Sequence, residues 1–167
     1  MKDKKRRKIT IVLFTLYFLI LVWILLFKMG TPFDVNYSSR SINLIPFSAS
    51  VIVNGKIYIK EIINNILVFV PVGIYTCMLN PKLPFVKKIA PAFFISLAIE
   101  IFQFILSIGV TDITDLLGNT LGGIIGIVIF YLLAKLFKNK TIEVFNILAF
   151  IATVVLVGLL SIIILVN

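Results

Sequence analysis

The chain has 167 residues, of which 60% are hydrophobic and 14% charged, and its mean hydropathy is +1.15. Soluble domains run near about 45–50% apolar and about 25% charged, and a domain of this size still exposes much of its surface, so the composition points to a lipid bilayer. There is no histidine and one cysteine, Cys77, which excludes Ser-His-Asp triads, Cys-His dyads, histidine-bound zinc and an internal disulfide.

The net charge of +9 would suggest nucleic acid in a soluble protein. Here six of the sixteen cations fall within the first eight residues, at Lys2, Lys4, Lys5, Arg6, Arg7 and Lys8. No aromatic residues interleave with them, as a nucleic-acid platform requires. They precede an uncharged run from Ile9 to Phe27, so residues 1–8 read as a basic cytoplasmic tail beside anionic headgroups, and no nucleic-acid partner is expected. The run exceeds the apolar region of a signal peptide and no A-x-A-like site follows it, so it reads as an uncleaved first span.

Four more apolar stretches follow, giving expected spans at 9–27, 62–79, 89–108, 116–134 and 144–166. Each is long enough, at about 1.5 Å per residue, to cross a hydrocarbon core of about 30 Å. Short alternating segments of a β-barrel are absent. The expected fold is an all-α bundle of five transmembrane helices in a single domain, 9–167. The cations orient it. Lys82, Lys87 and Lys88, then Lys135, Lys138 and Lys140, join the tail on one side; Lys28, Arg40, Lys56 and Lys60 lie on the other. Twelve against four predicts the N-terminus inside and the C-terminus outside. The 28–61 outer loop carries Asn54-Gly55 between Val51-Ile52-Val53 and Lys56-Ile57-Tyr58-Ile59, which reads as a two-residue hairpin or as an amphipathic surface segment. Its Asn43-Leu44-Ile45-Pro46-Phe47 segment is expected to tuck into the outer surface of the bundle.

Polar residues inside the spans are expensive and therefore informative. Glu100 stands about 12 Å from the outer end of the third span. Ser96, Glu100, Gln103 and Ser107 recur at helical spacing and share one face. Two readings fit: a stripe that joins helices by hydrogen bonds, or the wall of a polar cavity. Asp112 and Asp115 precede the fourth span, and Asn119, Gly122 and Gly126 continue down the same face. The acids can cap that helix, but Asn119 lies a full turn further in. Gly118, Gly122, Gly123 and Gly126 let a neighbouring helix approach closely. Asn64 and Asn65 begin the second span, and Pro71 in its middle predicts a kink or an opened turn with a freed carbonyl. These polar groups gather in the outer half of spans two, three and four.

The series Asn43-Leu44-Ile45-Pro46-Phe47, Asn64-Asn65-Ile66-Leu67-Val68-Phe69-Val70-Pro71-Val72-Gly73, Glu100-x-x-Gln103 and Asp112-x-x-Asp115-x-x-x-Asn119-x-x-Gly122-x-x-x-Gly126 resembles the VanZ-like family of bacterial membrane proteins. The pieces cover residues 43 to 126 in the family's order. Members often carry an arginine after the glycine that ends the third span; here Val110 follows Gly109. The resemblance implies a multi-pass protein of the bacterial plasma membrane and cell envelope, in a family whose namesake is linked to resistance to the glycopeptide teicoplanin. Carried over by position, it implies functional roles for Glu100, Gln103, Asp112, Asp115 and Asn119, supported by Asn43, Asn65 and Pro71.

Three functions follow from these residues. The first is a non-catalytic protein that binds a lipid-linked cell-wall precursor or a lipoglycopeptide in an outward acidic and amide pocket, without a cofactor. The second is an intramembrane enzyme acting on a polyprenyl-phosphate or peptidoglycan precursor, with Mg²⁺ held by the oxygens of Asp112, Asp115 and Glu100. The third is a proton-coupled transporter using Glu100 as a relay.

Overall fold

A computed structural model of the chain describes residues 2–27, 41–46, 52–53, 56–57, 59–108 and 110–166. Its long helices are α1 (Lys2–Phe27), α2 (Ile59–Leu79), α3 (Phe85–Leu106), α4 (Ile113–Phe137) and α5 (Thr141–Val166). Short strands β1 (Ser41–Asn43), β2 (Ile52–Val53), β3 (Lys56–Ile57) and β4 (Val110–Asp112) lie between them. Four helical stretches are long and apolar enough to cross a membrane: Asp3–Leu26, Ile59–Leu79, Phe85–Leu106 and Ile113–Gly158. The last, 46 residues, takes in both α4 and α5 across a 3-10 turn at Lys138–Lys140.

Most boundaries differ from the expected spans by a few residues, each for a local reason. The basic tail is not separate from the first span, because α1 starts at Lys2. Lysine and arginine favour helix, and Asp3 in the first turn complements the helix dipole. Helix α3 begins directly after Pro84 and ends where Ser107 turns left-handed, its N–H bonded to Gln103 O and Phe104 O. Ser107 therefore leaves the helical stripe. Helix α4 starts at the cap Asp112, whose side chain accepts from Thr114 N. Helix α2 runs unbroken through Pro71, so no opened turn forms there. The nearby carbonyl that gains a side-chain donor is Val68 O, bonded by the Tyr17 hydroxyl.

Side-chain contacts fix the directions of the helices. Thr10 meets Asn146, Tyr17 meets Val68, and Gln103 meets Leu25. Ser96 and Ala92 of α3 face Asn119 and Gly123 of α4, so that pair is antiparallel. Gly118, Gly122 and Gly126 step along Ile62, Ile66 and Val70, so α2 and α4 run parallel. One end of the bundle thus gathers the start of α1, the α2–α3 turn and the α4–α5 turn, with their lysines and arginines. The opposite end gathers the ends of α1 and α3 and the starts of α2 and α4.

Helices α2 and α4 form the closest pair. A Cβ added at Gly122 would overlap Ile66 O, one at Gly126 would overlap Val70 O, and one at Gly73 would overlap Gly123 O. Gly123 in turn leaves room for the Ala92 methyl of α3. Gly118 differs, since a methyl there meets only ordinary contacts at 3.7 Å and beyond. Without a hydrophobic force between helices in lipid, such close backbone packing is what joins them. Around this axis pack Leu21, Phe69, Val72, Ala92 and Ile99, and towards the basic end Leu13, Tyr75, Met78 and Phe145. The surface is inverted relative to a soluble protein: Leu19, Leu67, Phe94, Leu132 and Phe150 are each about 60% exposed.

In the 28–61 segment, β2 and β3 pair antiparallel, Ile52 with Ile57 and Val53 with Lys56, as the hairpin expectation requires. Its Asn54-Gly55 turn lies outside the described residues, as do Lys28, Arg40 and Phe47. Over its described residues, 43–46, the segment does not tuck in. Ser41–Asn43 pairs in parallel with Val110–Asp112, while Leu44 and Ile45 are exposed. Strand pairing holds the backbone as far as Asn43, and Leu44 and Ile45 beyond it face outward.

Candidate functional site

The strand pair at the end opposite the basic tail organises the polar residues. The β1–β4 register places Asn43 opposite Asp112, and Asn43 Nδ2 donates to Asp112 Oδ1 at 3.1 Å. Asn43 Oδ1 accepts from Ile45 N at 3.2 Å, which fixes the turn after β1. Asp112 Oδ1 also caps α4 by accepting from Thr114 N at 2.8 Å.

Glu100 lies about 9 Å from the end of α3 by helical rise and is buried, 4% exposed. Its Oε2 accepts from Asp112 N at 3.0 Å, and its backbone carbonyl accepts from the Thr111 hydroxyl at 3.1 Å. Strand β4 is thereby seated on the last turns of α3. Gln103, one turn further along, donates from Nε2 to Leu25 O in the last turn of described α1 at 2.9 Å, linking α3 to α1.

Asp115 Oδ1 accepts from Asn65 Nδ2 at 2.6 Å, linking α4 to α2. Asn119, one turn deeper, donates from Nδ2 to Ser96 Oγ at 2.9 Å, linking α4 to α3. Asn119 and Ser96 are almost fully buried. Asn119 Oδ1 is buried with no hydrogen-bond partner among the described residues. An amide oxygen left so is costly, and it marks where a further donor would be accommodated.

Asn43, Asp112 and Glu100 form one bonded group, Asn65 with Asp115 and Asn119 with Ser96 form two more, and Gln103 bonds α1, all toward the same end of the bundle. Pro71 is not part of these groups. It lines an apolar cavity of about 340 Å³ with Tyr17, Ile74, Phe145 and Ala149, between α1, α2 and α5. Gly118, Gly122, Gly123 and Gly126 are the packing surface beneath the polar residues. Among the described residues no three of His, Cys, Asp and Glu gather closely enough to hold a metal ion. Asp112 is turned to the α4 cap, Asp115 to Asn65, and Glu100 to Asp112 N.

Sequence spacing missed several participants. Thr111 and Thr114 are ordinary loop residues until β4 forms. Leu25 contributes only its carbonyl. Val110 takes part through strand pairing with Ser41.

The bundle has an apolar exterior, four helical stretches long and apolar enough to cross a membrane, and a set of acids and amides at one end, which fits a membrane protein. The profile described as VanZ/LLP1 matches residues 14–135. The chain is also 36% identical over 152 residues to protein VanZ of Enterococcus faecium, covering 89% of this chain and 88% of that one. The chain belongs to the VanZ/LLP1 family. No solved structure matches it.

Proposed function

We propose that this is a multi-pass protein of the bacterial plasma membrane, with five spans, its N-terminus inside and its C-terminus outside, whose acid–amide region binds an amphiphilic envelope ligand from the outer leaflet. The ligand is a lipid-linked cell-wall precursor or a lipoglycopeptide, and binding lowers susceptibility to teicoplanin. Membership of the VanZ/LLP1 family supports the resistance role, and the charge imbalance between the two ends supports the orientation. The observation that carries the binding site is the buried, unpartnered acceptor Asn119 Oδ1, held through Ser96 on the same face of α3 as buried Glu100; Asn119 and Glu100 are 2% and 4% exposed. A carboxylate and an amide oxygen are acceptors for ligand hydroxyl, amide and ammonium groups. The carboxylates are held by backbone and amide donors, which favours binding over acid–base catalysis.

The test is native mass spectrometry of the detergent-purified chain with a polyprenyl-diphosphate-linked muropeptide. The wild type retains the lipid as an adduct of unchanged mass, and Glu100→Gln loses it while its thermal unfolding stays close to wild type. Equal retention by both proteins would overturn the site, and a new product mass would overturn the non-catalytic reading.

A further inference from the structure

A second polar feature lies at the other end of the bundle. A cleft of about 510 Å³ separates the first turns of α1 from the α2–α3 turn and the start of α5. Its apolar floor includes Met78, Leu83 and Ile142, and its charged lining is Arg6, Arg7 and Lys82 with one carboxylate, Asp3, which lies against Arg6.

The three cations are not equivalent. Arg6 is fixed: its guanidinium meets Glu143 Oε1 at 2.5 Å and Asp3 Oδ1 at 3.7 Å. The Thr10 hydroxyl, bonded to Arg6 O and Asn146 Oδ1, pins the same turn of α1 to α5. Arg6 is thereby a wall of the cleft. Arg7 and Lys82 are exposed and have no ion-pair partner among the described residues. They come from two separate elements and face one opening. Two free cations above an apolar floor match an anion that carries its own apolar body, whereas a free anion gains nothing from the floor.

We propose that this cleft holds the phosphate headgroup of an anionic phospholipid, with Arg7 and Lys82 on the phosphate and the acyl chains leaving over Met78 and Leu83. The charge-assisted contacts supply the recognition, and the membrane surface supplies the ligand at high local concentration. The site is independent of the acid–amide region at the opposite end.

The experiment uses the full chain in detergent, titrated with phosphatidylglycerol and with phosphatidylcholine and read by native mass spectrometry. Phosphatidylglycerol is expected to bind at least about tenfold more tightly than phosphatidylcholine. Arg7→Gln with Lys82→Gln is expected to lower its affinity by about tenfold. Both side chains are exposed and unpaired, so the double variant keeps its fold. Lys4→Gln with Lys8→Gln removes the same charge from α1 outside the cleft, and it is expected to change affinity less than about twofold. Equal losses in the two double variants would overturn the proposal in favour of diffuse attraction to the tail. Displacement of the lipid by inorganic phosphate would overturn it in favour of a free-anion site.

Discussion

Asn119 and Ser96 form a buried pair, 2% and 0% exposed, whose worth depends on both partners being present. Removing one leaves the other desolvated with nothing to bond, which costs about 1–3 kcal/mol, whereas replacing both with apolar groups is nearly neutral. Ser96→Ala alone should therefore lower stability by about that amount in denaturant unfolding of the purified chain. Ser96→Ala combined with Asn119→Leu should recover part of the loss. A double variant less stable than the single one would show that the pair is not an isolated bond. The polar stripe of α3 was legible because a helix repeats its faces at three and four residues. Lys88 was not legible in this way. As a cation near a turn it counts towards orientation, yet it is 1% exposed, with Nζ on Tyr131 Oη at 2.6 Å and Pro81 O at 3.0 Å. Its partners lie 43 and 7 residues away in the chain, and local spacing does not report contacts of that kind.

The glycines of α4 are the clearest element-scale feature. Gly122 and Gly126 touch the backbone carbonyls of α2 so closely that a methyl forces the helices apart. Gly122→Ala should cost at least about 1–3 kcal/mol, as expected for overpacking. Gly158→Ala on α5, where nothing among the described residues lies within 4 Å, should be neutral or slightly stabilising because alanine favours helix. Thermal unfolding in one detergent checks both, and equal effects would contradict the α2–α4 packing. The GxxxG spacing announced a packing face, but the partner helix came only from the structure. The β1–β4 pair was illegible for a related reason. Two three-residue segments about seventy positions apart have no periodicity to read, and the apolar residues after the first suggested burial, where Leu44 and Ile45 are exposed.

Over the whole molecule, the two ends do different work. The basic end joins α1 to α5 through Arg6–Glu143 and Thr10–Asn146, a connection between residues more than 130 positions apart. The opposite end seats two short strands on α3 and α4, which brings Asn43 from β1 against Asp112 and Asp112 N against Glu100 of α3. Helix α4 links the ends, carrying Asp115 and Asn119 near its start and Tyr131 near its finish. The helical class and the gathering of polar residues were legible from hydropathy and spacing, whereas the role of Pro71 was not, since a proline's sequence position does not tell which neighbour it faces. The most direct measurement is the minimal inhibitory concentration of teicoplanin for susceptible bacteria expressing the wild type or Glu100→Gln at matched membrane levels. The account predicts that the wild type raises it and that Glu100→Gln returns it to the value of cells lacking the protein. Full protection by Glu100→Gln would contradict it.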